Sequence, residues 1–422
     1  MATLQTPTAR TRSGAMPRHP GAAPSAAALR RCVGDVQAFL DQAWTRRVSL
    51  HRRAGQDSYA DLLSIDSVDQ QLTQTSPRRP AVRVVRDGRE VPSSAYTRTG
   101  TLGSQTLQDL PDVAGLLRLF DDGATIVLQG LQRTWPPVGR FCRELELVLT
   151  HPVQANAYLT PPSAQGLRVH HDTHDVFALQ TYGRKRWVTY PPVVDRPLPG
   201  QRSGAATADL GPPELDTELG AGDCLYVPRG VLHAAATTGD ASLHLTVGVR
   251  AVTWHEVARR LVERVTTAPS FREALPAGFA RQPERLRDEL AGRLKELADL
   301  IAQADVDALA ESEIDRLWAN LLPRLDGQLS TLLDVDAIAD DTAIRPRHPL
   351  PFTVTNDGNR LRLRMGGREL TMPAYAEPPL RALLSGPVRL RDLPGLLDAG
   401  SRVVLARRLI REGLVVVDRR LS

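Results

Sequence analysis

The stretch Gly222-Asp-Cys-Leu-Tyr-Val-Pro228-Arg-Gly230-Val-Leu-His233 decides the fold. It reads G-x5-P-x-G-x2-H. Gly222 and Asp223 turn the chain, Tyr226 and Val227 form a strand, and Pro228 and Gly230 bend it before the histidine. About sixty residues earlier stands His170-His171-Asp172, whose first and third side chains share one side of a strand. A lone His-x-Asp is common by chance and most often a surface pair. The longer string is far more specific. Seven of the ten histidines lie between His151 and His255, around these two stretches.

Working outward, residues 123–252 change period to short strands punctuated by turns. ATIVLQG, VQANAYLT, DVFALQTYG, KRWVTYPP, DCLYVP and SLHLTVGVR are β-rich and joined by Gly, Pro and Asp. Many short strands in one such segment predict a closed or sandwiched antiparallel barrel. Two imidazoles and one carboxylate on one face suit Fe(II) and leave coordination positions open for a bidentate co-substrate and O2. The rival is a barrel that keeps the fold and loses the metal. With His170, Asp172 and His233 all present, metal binding is the preferred reading.

The G-x5-P-x-G-x2-H string is the second cupin motif. The block NAYLTPPSAQGLRVHHDTHDVFALQTYGRKRWVTYPP, with LYVPRGVLHAA and SLHLTVGV, resembles the JmjC-type ribosomal oxygenases, Fe(II)- and 2-oxoglutarate-dependent protein hydroxylases. The likeness is close over the barrel and looser over the order of parts beyond it. It implies an α+β chain: a double-stranded β-helix (JmjC/cupin barrel) with N-terminal α/β elements, a helical dimerisation region and a C-terminal winged helix. The expected divisions are a disordered tail (1–28), a catalytic domain (29–252, barrel core 123–252), the helical region (253–335) and the winged helix (336–422).

The resemblance makes His170, Asp172 and His233 the iron ligands. It puts Lys185 at the basic position for the distal carboxylate of 2-oxoglutarate, and Asn156, Tyr158 and Thr246 in the pocket lining. Lys185 also draws notice by itself, because Lys185 and Lys295 are the only lysines in an arginine-rich chain. A single long cation directed into a barrel suits a buried dicarboxylate. Without the resemblance, a solvated residue in the run Arg184-Lys185-Arg186 would be an equal reading, and Asn156 and Tyr158 would be ordinary strand residues. His171 stands where the family commonly has Tyr, and strand alternation points it away from the metal. His174 is expected at the rim, His244 within the barrel packing, and Arg229 in a structural role. The reaction implied is hydroxylation of a protein side chain, a histidine or arginine of a ribosomal protein, using 2-oxoglutarate and O2. The same chemistry on a peptide or a secondary-metabolite precursor is the alternative.

The remaining chain is consistent with this outline. Its 422 residues, 42% hydrophobic, allow about three domains and exclude global disorder. No apolar run reaches the ~18 residues of a membrane-spanning helix. Cys32, Cys142 and Cys224 form no CxxC pair, which fits a reducing, cytoplasmic setting. The first 28 residues hold no acid and no apolar core. They resemble an organelle transit peptide, and a disordered tail is the preferred reading. A helical pattern starts near Ala28, and AVRVVRDGREV predicts a hairpin turning at Asp87-Gly88. Leu286, Leu290, Leu294, Leu297 and Ile301 mark one face of a helix that must bury its stripe, on its own barrel or on a second chain. Ser312 and Asp315 suggest the capped start of the next. From Arg345 onward there are 15 arginines against 7 acidic residues. That excess and the predicted winged helix raise a rival of another class, a nucleic-acid-binding regulator. The expected recognition helix, Val403 to Ile410, offers little beyond Arg407 and Arg408, so protein contacts are favoured for it.

Overall fold

The computed structural model describes residues 18–19, 25–53, 58–201, 210–321, 324–347 and 352–419. Most of the expected tail lies outside the described residues. Within it, Arg18–His19 form a two-residue strand, β1, and the first helix begins at Ala27, inside the span expected to be disordered. The chain divides into two units, Ser25–Thr253 and a second made of Met1–Pro24 with Trp254–Ser422.

In the first unit, helices α1 (Ala27–Val33), α2 (Val36–Gln42) and α3 (Ile65–Gln74) accompany strand β2 (Ser49–His51). Asp35 caps α2 through the Ala38 amide and Ser64 caps α3 through that of Ser67. The predicted hairpin forms as β3 (Val82–Arg86) and β4 (Arg89–Glu90). Asp87 and Gly88 both take positive φ, 50° and 71°, as a two-residue turn of this hand requires. A second hairpin, β5 (Thr97–Leu102) with β6 (Gln105–Pro111), precedes α4 (Val113–Asp121), β7 (Thr125–Gln129), α5 (Leu131–Thr134) and α6 (Pro136–Leu149).

The barrel follows: β8 (Val153–Thr160), β9 (Asp175–Tyr190), β10 (Leu215–Gly220), β11 (Cys224–Val227), β12 (Leu232–Ala236) and β13 (Ser242–Val249). Its larger sheet runs β2-β11-β9-β13-β8-β7-β3-β4. DVFALQTYG and KRWVTYPP, read separately in the sequence, are one continuous strand. The first half of β9 pairs with β11 and β13, the second half with β10 and β12. Gly183 sits at the change-over with φ +63°, and a Cβ there would come within 1.9 Å of the Ala241 carbonyl oxygen. β9 thus bends from one sheet into the other, as a double-stranded β-helix requires, and the expected α+β class with its barrel is met.

The sheet alternates strictly. Val82, Val84, Ile126, Leu128, Ala155, Ala157, Leu243, Leu245 and Val247 face the apolar core shared with α1, α4 and α6. The residues between them face the barrel interior.

In the second unit, α7 (Trp254–Val265), α8 (Pro283–Ala302), α9 (Val306–Asn320) and α10 (Gln328–Leu333) come first. The leucine stripe lies on α8 as expected. Ser312 does not start the next helix. Asp305 does, accepting from the Ala308 amide, and leaves Ser312 inside α9. A carboxylate caps as well as a hydroxyl and here precedes the first turn. Strands β14 (Ala343–Pro346), β15 (Phe352–Asn356), β16 (Arg360–Met365) and β17 (Arg368–Pro373) lead to α11 (Glu377–Ser385), β18 (Val388–Arg389), α12 (Ala399–Arg411) and β19 (Val415–Val417). They form sheets ordered β1-β15-β16-β17 and β18-β14-β19. No helix among the described residues is long and apolar enough to cross a membrane.

Candidate metal centre

His170 and His233 face each other across an antiparallel bridge, exchanging both backbone hydrogen bonds (3.1 and 2.8 Å). His170-His171-Asp172 is not a regular strand as expected. His170 makes that single bridge, and Asp172 lies in the loop beyond it, its carbonyl accepting from the Gly230 amide at 3.0 Å. Gly230 is the second glycine of the signature: its φ is +91°, and a Cβ would sit 2.4 Å from the Val194 carbonyl oxygen. A side chain at this position would therefore collide with the Val194–Pro197 segment.

Ligand atoms of His170, Asp172 and His233 all lie within 4.8 Å of one another, a three-residue group of metal-binding type. The Nδ1 of His170 is 2.8 Å from the Arg168 carbonyl and that of His233 3.0 Å from the Val231 carbonyl. Each ring thus donates from Nδ1 and presents the lone pair of Nε2. His233 Nε2 stands 3.7 Å from Asp172 Oδ2. Burial, with His170 nearby, pushes His233 down to about 4, keeping it neutral. Burial alone would raise the Asp172 carboxyl, but the surrounding imidazoles of His233, His174, His170 and His171 bring it below its usual value. Two imidazoles and a carboxylate, with their outer nitrogens already oriented, fit a divalent iron.

The interior of the barrel is laid out in rows set by register. Thr125 pairs with Thr160 at one level, Tyr158 with His244 at the next, and Asn156 with Thr246 beyond. Lys185 projects into the first row, 2% exposed, its Nζ donating to Thr160 Oγ1 at 2.8 Å. No carboxylate pairs with it among the described residues, and burial brings its pKa down to about 7. An ammonium so placed is the donor a buried dianion needs. Four residues on along β9, roughly 13 Å at strand rise, Thr189 pairs with His233. Trp187 between them stacks on His233 (6.1 Å) and meets His244 edge-on (5.4 Å).

Tyr158 stacks on His244 at 5.0 Å, and burial raises its phenol. Thr246 Oγ1 lies 3.5 Å from the Asn156 carbonyl, and Asn156 Oδ1 accepts from the Gly130 amide. His171 is buried outside the cluster, Nε2 3.0 Å from the Gln201 carbonyl. His174 packs its ring on Gly248, where a Cβ would come within 2.4 Å. His244 is buried at 3% exposure, as expected.

Sequence reasoning missed Thr160 and Asp175. Thr160 lies two residues beyond Tyr158 on the same face, so strand parity alone would have found it. Asp175 is fully buried and accepts from the Tyr226 hydroxyl (3.1 Å) and the Arg229 amide (3.2 Å), with the Arg229 guanidinium 3.7 Å away. Arg229 therefore braces the loop before His233.

This arrangement defines a cupin-type barrel with an interior two-histidine, one-carboxylate group. Residues 130–257 match the JmjC domain family. It is 28% identical over 321 residues to the bifunctional lysine-specific demethylase and histidyl-hydroxylase NO66 of Dictyostelium discoideum, covering 74% of this chain and 57% of that protein. It is 29% identical over 305 residues to ribosomal oxygenase 1 of Homo sapiens, covering 68% and 46%. The chain thus spans about half the length of these curated relatives. Among solved structures it is similar to YcfD, a ribosomal oxygenase from Escherichia coli in complex with cobalt and 2-oxoglutarate (TM-score 0.48, 16% identity, 90% of this chain and 98% of that one).

Proposed function

We propose that this protein is an Fe(II)- and 2-oxoglutarate-dependent dioxygenase that hydroxylates a protein side chain, a histidine or arginine of a ribosomal protein. The observation that carries the reading is Lys185: a buried ammonium with one hydroxyl partner, on the strand that pairs with His233. In this reading His170, Asp172 and His233 hold the iron, which with 2-oxoglutarate and O2 supplies the oxidising chemistry. Lys185 binds the distal carboxylate of 2-oxoglutarate, and Thr160 orients the ammonium. Asn156, Tyr158 and Thr246 line the adjoining wall. Trp187 and His244 exclude water between the two ends. The names of the relatives, histidyl-hydroxylase and ribosomal oxygenase, support the choice of substrate.

The same reading takes the chain to be a cytoplasmic homodimer with a C-terminal winged helix. No residue of α8 or α9 is buried, and Leu290 and Leu294 stand 52% and 58% exposed, as a face awaiting a second copy would. Nucleic-acid binding is not favoured. On α12, Arg407 donates to the Asp336 and Ile338 carbonyls and Arg408 pairs with Glu412.

Adding Fe(II) and then 2-oxoglutarate to the anaerobic protein should produce a weak visible charge-transfer band, lost in His170→Ala and weakened in Lys185→Ala. Aerobic incubation with ribosomal proteins should add the mass of one oxygen to one of them. Iron binding without the band would move the chain to other cupin chemistry.

A further inference from the structure

Register aligns one residue from each of four strands: Arg83 with Val127, Val127 with Tyr158, and Tyr158 with His244. Directly opposed residues share a face. The flanking Val82, Val84, Ile126, Leu128, Ala157, Leu243 and Leu245 occupy the opposite, core-facing side. Arg83 therefore belongs to the interior row between the Lys185–Thr160 level and the Asn156–Thr246 level. Its guanidinium faces the Tyr158 hydroxyl, its Nε is buried without a hydrogen-bond partner, and no ion pair engages it among the described residues. A guanidinium with five N–H donors held beside a phenol is built to grip an acceptor oxygen. The proposed co-substrate does not supply that oxygen, since its distal carboxylate is matched to Lys185.

We propose that Arg83 and Tyr158 bind an acceptor oxygen of the substrate polypeptide, a main-chain carbonyl or an acidic side chain, and so help select which side chain reaches the metal. This rests on the dioxygenase reading above.

The test compares full-length wild type with Arg83→Met, Arg83→Lys and Lys185→Met. Calorimetric titration of the Mn(II)-loaded proteins with 2-oxoglutarate should leave both Arg83 variants close to wild type and weaken Lys185→Met. With Fe(II), 2-oxoglutarate and total ribosomal protein, the KM for the modified protein should rise roughly 30-fold in Arg83→Met. Arg83→Lys should recover part of it, a point charge without the fork. Loss of 2-oxoglutarate affinity in Arg83→Met, or unchanged modification, would overturn the proposal. If wild type itself modifies no ribosomal protein, the reading of the substrate falls and this inference falls with it, whatever the Arg83 variants do. A synthetic peptide of the modified stretch with its acids changed to amides separates the two sources. Retained dependence on Arg83 identifies a main-chain carbonyl, and lost dependence an acidic side chain.

Discussion

His170 and His233 are joined by two reciprocal backbone hydrogen bonds, so the protein backbone itself sets the spacing of the two imidazoles. A site assembled this way exists before any metal arrives. Metal-stripped protein should keep its secondary structure by circular dichroism. Co(II) or Mn(II) at a hundred times its Kd should add about 2.7 kcal/mol, a rise in Tm of roughly 5–11 °C. His170→Ala and His233→Ala should abolish that rise while remaining folded.

The proposed role of Lys185 ties co-substrate binding to pH. Its folded pKa of about 7 lies below the ordinary 10.5. Between those values the unfolded chain binds more protons, so this residue's contribution to stability rises with pH across the window and its penalty is complete below pH 7. Urea titrations should therefore show Lys185→Met more stable than wild type at pH 6, with the gap narrowing toward pH 10. A bound dianion restores the charge, so 2-oxoglutarate binding near pH 8.5 should take up protons. Calorimetry in buffers of different ionisation heat would show the uptake in wild type and its absence in Lys185→Met.

Gly230 serves geometry. A methyl group there meets the Val194 carbonyl oxygen at 2.4 Å on a backbone of positive φ. Gly230→Ala should cost on the order of 1–3 kcal/mol, roughly 2–12 °C in Tm. Because the Gly230 amide also holds the Asp172 carbonyl, it should weaken Co(II) affinity as well, measurable by visible titration.

Asp175 anchors the same loop from below. Asp175→Ala leaves the Tyr226 hydroxyl and the Arg229 guanidinium buried without their acceptor, a loss of about 3–5 kcal/mol, or roughly 6–20 °C. Asp175→Asn keeps one acceptor and should lose less, which thermal melts of the pair would show.

How much of this was legible in sequence follows the reach of each signal. His170, Asp172 and His233 stand in short strings whose spacing is itself the message, and the structure brings them together. Asn156 and Tyr158 share parity on one strand, and their placement inside follows from it. Arg83 was invisible because its position depends on register across four strands, which no local pattern encodes. The loop form of Asp172 was missed because His-x-Asp looks alike in a strand and beyond a single bridge. The continuity of β9 was hidden by Gly183, which reads as a turn and is a bend. Ser312 misled because a hydroxyl and an acid three residues apart occur inside helices too, whereas Asp305 lay about two turns earlier.

The unbroken run of β9 from Lys185 to Thr189 has a further consequence. The separation between the ammonium and the histidine opposite Thr189 is counted in whole residues. An insertion or deletion of one residue there turns one end to the outside of the barrel. The chamber can lengthen only in steps of two residues, about 6.6 Å. Gradual change in the size of the acid proposed to bind there is therefore closed to the backbone and open only to side chains, by exchanging lysine for a longer or shorter cation or by refilling the gap at Trp187. On the proposed reading, a barrel built on this strand keeps its small acid through wide drift elsewhere, and variation is left to the wall that Arg83 shares with Tyr158.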